Sequence, residues 1–148
     1  MANTRTKTLQ SLLSETRHCA LCSDLPLGPK PLLQASSTAT ILIAGQAPGR
    51  RTHESGIPFD DVSGDRLRTW LGIDRDTFYD ARRIAILPMG FCYPGTGKSG
   101  DLPPRKECAP AWREQLLQKM PTVKLTILIG MHAHRWHLGD TSGRTLTE

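Results

Sequence analysis

Four cysteines and one glycine-proline loop are the residues whose types and spacing could do chemistry. Cys19 and Cys22 form a Cys-x-x-Cys pair, and Cys92 is followed sixteen positions later by Cys108. Four thiolates can close a tetrahedral zinc site or hold an iron–sulfur cluster. Either use requires both pairs to meet in space. The first pair ends an amphipathic N-terminal segment and the second brackets a long loop, so one site would pin that segment to that loop. Arg5 and Lys7 precede no apolar signal core, which argues against export and against disulfides. The alternative is four buried free thiols, since cysteine is among the most buried residue types.

The loop is Gly45-Gln46-Ala47-Pro48-Gly49, which ends the apolar run Ile41-Leu42-Ile43-Ala44. Such a run stopped by Gly and Pro reads as a buried strand ending in a rigid turn. Open α/β sheets bind ligands at the carboxyl ends of their strands. Gly45 and Gly49 let a ligand approach the main chain, and Pro48 stiffens the turn between them. Gly56-Ile57-Pro58-Phe59 then makes a corner that projects one aromatic ring. Asp60, Asp61 and Ser63 lead from it into an amphipathic helix. The plain alternative is an ordinary strand-to-helix turn.

Two further groupings are weaker. Gly95-Thr96-Gly97-Lys98-Ser99 imitates a phosphate-binding loop, but Cys92 stands where that motif needs a glycine. Gly100-Asp101-Leu102-Pro103-Pro104 cannot form the helix that would hold the phosphates. Lys98, Arg105 and Lys106 read instead as phosphate-backbone contacts or solvated surface. His132, His134 and His137 do not share one helix face and read as ordinary histidines. His53 and Glu54 lie beside the candidate pocket.

The elements that must position these residues alternate. Residues 1–5 are expected to fray. A helix is expected from Thr6 to Arg17 through Leu9, Leu12, Leu13 and Thr16, then a Pro- and Gly-rich loop from Asp24 to Ser37. Strands are expected over Thr38–Gly45, Arg83–Pro88 and Lys124–Gly130. A helix over Ser63–Leu71 has Ser63 as its N-cap and Gly72 as its stop. Asp74 caps a short turn through Tyr79. Met89–Glu107 is a long loop, Ala109–Met120 a helix and Met131–Leu138 a last helical segment. Strand-helix alternation predicts an α/β fold of three layers, a central parallel sheet flanked by helices.

At 148 residues this is one domain, 1–148, able to bury a real core. No apolar stretch is long enough to span a membrane, so a cytoplasmic protein is expected. The net charge of +5 and pI of about 9.3 suit a polyanionic partner.

From about Cys19 to Gly139 the chain resembles the uracil-DNA glycosylase superfamily, most closely its iron–sulfur branch. That branch carries a Gly-Glu-x-Pro-Gly loop, then Gly-x-Pro-Phe, then a helix entered through small residues. Gly45-Gln46-Ala47-Pro48-Gly49 and Gly56-Ile57-Pro58-Phe59 match it, as does the wide separation of the second cysteine pair. The resemblance implies hydrolysis of the N-glycosidic bond of uracil or another deaminated base in DNA, without lyase chemistry, by a monomer that binds DNA. It puts Gln46 and Ala47 at catalytic positions of the loop. Gly45, Pro48, Gly49 and Phe59 would bind the flipped base, with Phe59 stacking on it. Arg50, Arg51 and Lys98 would contact DNA. Cys19, Cys22, Cys92 and Cys108 would hold a [4Fe-4S] cluster, with zinc the alternative.

Three departures from the family pattern matter. Gln46 replaces the usual Glu. The base-reading Asn late in the second strand is missing, since Asn3 is the only asparagine. No proline follows Pro121, so the family's His-Pro-Ser segment is absent and the chain resembles a C-terminally truncated member. These departures leave open a non-catalytic DNA-binding module that keeps the fold and the four-cysteine site.

Overall fold

The computed structural model describes residues 7–139. The expectations for residues 1–5, and for Thr6 as a helix start, lie outside them. Three apolar runs form one parallel sheet: β1 (Ile41–Ala44), β2 (Ile84–Ile86) and β5 (Leu125–Leu128), in the order β2-β1-β5. Ile43 pairs with Ile86 on one side and Ile127 on the other. Each strand is shorter than expected, because its flanking residues turn away into loops. Gln34 forms an antiparallel bridge to Ile86, exchanging backbone bonds of 2.9 and 2.7 Å, and so covers the outer edge of β2.

Side chains alternate across the sheet, which is what gives a parallel sheet two buried faces. Leu42, Ala85 and Leu87 face one way, onto Leu12 and Leu13 of α1 (Leu9–Arg17) and Leu116 of α5 (Glu114–Gln118). Ile43, Ile84 and Ile86 face the other way, onto Leu67 of α3 (Val62–Leu71) and Phe78 of α4 (Arg75–Phe78). The last helix, α6 (Met131–Leu138), buries Ala133 against Ala44 and Met89. The three-layer α/β architecture is therefore as the alternation predicts. Among the described residues, no helix is long and apolar enough to cross a membrane.

The structure corrects four local expectations. Arg50–Ser55 is a helix, α2, where an irregular loop was expected. Gly49 caps its start, an Arg50–Glu54 pair spans it, and Gly56 at φ 76° stops it. The N-cap of α3 is Asp61, not Ser63: the Asp61 carboxylate accepts from the Gly64 amide, and Ser63 donates to the same oxygen. The long loop contains a small hairpin, β3 (Thr96–Gly97) and β4 (Gly100–Asp101), with Lys98 and Ser99 at its turn. This is the fate of the phosphate-loop imitation. The helix expected from Ala109 opens as a π-helical turn, Ala109–Arg113, before becoming α5.

Candidate active site

An open cavity of about 610 Å³ lies at the carboxyl ends of β1, β2 and β5. It is lined by the loop Gly45–Gly49, by Pro58 and Phe59 of the corner, and by Thr52 and Asp61. The structure thus brings together Gly45, Gln46, Ala47, Pro48, Gly49 and Phe59 as the sequence requires.

Backbone bonds fix the loop. The amides of Met89 and Gly90 donate to the carbonyls of Gly45 and Gln46, both at 2.8 Å. Among the described residues, the amides of Gln46 and Ala47 donate to no protein acceptor. Unpaired amides at a cavity wall are donors left for a ligand. Ala47 brings no reactive side chain, so what it can contribute is this amide. The Gln46 side chain is exposed and passes over Gly130, where an added Cβ would come within 2.4 Å of Gln46 Nε2.

Phe59 is held from behind. Its backbone has φ 60°, unusual for a residue other than glycine. Arg68, 4% exposed, donates to the Phe59 carbonyl at 3.2 Å, and the Tyr79 hydroxyl donates to the Pro58 carbonyl at 2.7 Å. A Cβ on Gly64 would come 1.7 Å from the Phe59 carbonyl oxygen, so only glycine lets α3 meet this turn. The ring meets Phe78 edge-on, with centroids 6.0 Å apart, and a Cβ on Gly45 would touch it at 3.0 Å. Phe59 therefore both lines the cavity and closes one side of the core.

Among the described residues, Asp61 is the only carboxylate lining the cavity, and sequence reasoning gave it no role. Burial alone would raise its carboxyl. Bonds from Ser63, the Gly64 amide and Thr52, with the charge of Arg68 nearby, outweigh that and hold it below the usual carboxylate range. The signal in the sequence was an aspartate two positions after the corner aromatic and three before a glycine.

Of the cations expected on DNA, Arg50, Arg51 and Lys98 are all exposed. Arg50 and Arg51 begin α2 directly after the cavity loop, and Lys98 tips the hairpin whose Asp101 approaches Gly49. Arg105 is committed elsewhere, to Asp24 at 3.0 Å and Glu107 at 2.9 Å. Next to Gly49 and Arg51, His53 leaves Nδ1 buried without a partner, and burial together with Lys30 lowers its pKa.

The four cysteines line one small cavity together with Leu21, Phe91 and Trp112. All are free thiols. Trp112 Nε1 donates to Cys19 Sγ at 3.2 Å and the Phe91 amide to Cys108 Sγ at 3.3 Å. Burial pushes the Cys108 thiol up to about 12 and the Cys22 thiol up to about 11, the latter helped by Glu107. Among the described residues, no three His, Cys, Asp or Glu side chains converge as a metal-ion site.

Of the three C-terminal histidines, His137 accepts from Arg113 Nη2 at 2.9 Å, and burial, with Arg113 beside it, lowers its pKa to about 4. It is a core histidine. The uracil DNA glycosylase superfamily model matches residues 34–147, which take in the loop, the corner and every residue lining the first cavity, and the chain belongs to that superfamily.

Proposed function

We propose that this chain hydrolyses the N-glycosidic bond of uracil, or of another deaminated base, in DNA. The observation that carries the reading is the single cavity that joins free loop amides, an aromatic ring and one ionised carboxylate. An extruded base would stack on Phe59, with its oxygens toward the Gln46 and Ala47 amides. As the bond between base and sugar breaks, negative charge grows on the base and positive charge on the sugar. The amides stabilise the first, as fixed donors do for developing anions. The Asp61 carboxylate stabilises the second and orients the attacking water. Water adds to the sugar carbon, its proton is released, and the free base leaves.

Asp61→Asn tests this directly. The amide keeps an oxygen for capping α3 but removes the charge. Uracil release from a labelled oligonucleotide should fall about 10²- to 10⁴-fold, the usual range for such a group. DNA affinity should hold. A wild-type chain that binds uracil-containing DNA selectively but releases no base would support the non-catalytic module instead. The absence of a pocket asparagine is what favours that rival.

The cysteine cavity supports an iron–sulfur cluster held by Cys19, Cys22, Cys92 and Cys108. The four thiols line one cavity together, and the likeness of their spacing to the iron–sulfur branch is what favours a cluster over a single zinc. The donors from Trp112 and Phe91 suit thiolates, whose charge they would stabilise. A cluster would supply thiolate–iron bonds that join the end of α1 to the long loop.

A further inference from the structure

Beside the cavity runs a second, more open groove of about 630 Å³. Met89, Pro104, Lys106, His132, Arg135 and Trp136 line it. The two are lined by consecutive residues: Pro88 lines the cavity and Met89 the groove, and both follow β2 at the carboxyl edge of the sheet. Among the described residues, no acidic side chain lines it. Arg105 also reaches it, but its charge is taken by Asp24 and Glu107. Lys106 and Arg135 are exposed and make no ion pair among the described residues.

Both walls are fixed. On one, a Cβ on Gly90 would press on Pro104 at 3.0 Å, so the chain before Lys106 sits directly on the loop after β2. On the other, the Trp136 ring lies over the Arg113 guanidinium at 5.3 Å. That guanidinium donates to the carbonyls of Leu87 and Pro88 at 2.8 and 3.1 Å. Trp136 is thus anchored to the strand end that forms the cavity, yet stays 39% exposed. An exposed tryptophan anchored between unpaired cations is what a strand of nucleotides with free bases needs: a stacking surface beside phosphate contacts.

We propose that this groove holds the unpaired nucleotides flanking the extruded one, with a base stacked on Trp136 and the backbone phosphates on Lys106 and Arg135. The chain then prefers single-stranded over duplex DNA, because bases paired in a duplex cannot reach the ring. The proposal rests on the uracil-excision reading only for the position of the extruded base. Binding in the groove itself needs no lesion.

The test uses the full chain, with an undamaged single-stranded oligonucleotide and the matching duplex followed by fluorescence anisotropy across a salt series. Wild type should bind the single strand more tightly. Trp136→Ala should weaken single-strand binding roughly 5- to 150-fold, the range for loss of one stacked base. Duplex affinity should stay within about twofold, since phosphate contacts dominate it. Trp136→Phe should keep most of the single-strand affinity. Lys106→Ala and Arg135→Ala should each flatten the single-strand salt slope by about 0.7. If Trp136→Ala fails to fold, Trp136→Phe and the two cation variants decide. Equal losses on single strand and duplex, an unchanged single-strand affinity, or unchanged salt slopes would overturn the groove. Failure of the excision reading shows elsewhere: a wild type that neither prefers nor cleaves a uracil-containing strand sinks the cavity assignment, while the undamaged strand still reports on the groove.

Discussion

Replacing Phe59 by alanine separates the two jobs its ring does. The ring packs edge-on against Phe78 and lines the cavity together with Gly45–Gly49. Truncating a fully buried Phe costs about 3–5 kcal/mol. Phe59 is only half-buried, so about 2 kcal/mol is expected, of which the aromatic pair accounts for roughly 0.5–1.5 kcal/mol. For a domain of this size that lowers Tm by about 4–8 °C. Loss of the stacked base is worth about 1–3 kcal/mol, or roughly a 5- to 150-fold weaker preference for an oligonucleotide carrying a uracil analogue. Phe59→Gly removes the same ring but also the left-handed backbone cost of about 1 kcal/mol at φ 60°. It should therefore melt no lower than the alanine variant. Thermal melts and competition binding read both quantities. A Tm loss beyond about 12 °C with unchanged lesion preference would make the ring purely structural and refute the stacking role. No change in either would refute both.

Three further outcomes are expected. Gly64→Ala must push the Phe59 carbonyl off α3, because its Cβ would lie 1.7 Å from that oxygen; a loss of about 3 kcal/mol in denaturant unfolding is expected, and a variant as stable as wild type would contradict the packing. The carboxylate of Asp61 is held below its unfolded pKa, so its stabilisation is present above about pH 4 and is lost as pH falls through the folded value. The stability gap between wild type and Asp61→Asn should be flat near neutral pH and close only in acid; a gap closing near pH 6 would be wrong for this group. Anaerobic purification should give a brown, iron-containing protein that Cys108→Ser renders colourless; one zinc per chain would move the site to zinc, and neither metal would leave four free thiols.

The sheet was legible because its strands are short apolar runs: Ile41–Ala44 and Ile84–Ile86 are unbroken, and Leu125–Leu128 is interrupted only by Thr126. The cavity loop was legible because Gly and Pro punctuate the end of the first run. Helix α2 was not, since six residues between two glycines carry no apolar period. The cap of α3 was read two residues too late. Asp61 and Ser63 are both capping types, and only the position of the Gly64 amide chooses between them. The place of Asp61 in the cavity was illegible for a related reason. It depends on Thr52 of α2 reaching its carboxylate at 3.1 Å, a contact made by a helix the sequence did not announce. The corner Gly56-Ile57-Pro58-Phe59 was visible, but not that Phe59 itself takes the positive φ, which the eye assigns to glycine.

Arg113 was least legible of all, and it explains how the cysteine lobe and the cavity share one framework. Nothing in a helical pattern marks an arginine for complete burial, and arginine is ordinarily exposed. Yet it is 0% exposed and no carboxylate faces it among the described residues. Burial lowers its pKa to about 10, so it stays charged near neutral pH. Its partners are dipoles: two carbonyls at the end of β2, the neutral His137 ring and the face of Trp136. The π-helical turn that follows Cys108 carries the guanidinium into this position five residues on. The same segment therefore ends in a cysteine at one cavity and in the bonds that hold Pro88 at the other. Whatever fixes Cys108 therefore also bears, through the backbone, on the cavity wall at Pro88.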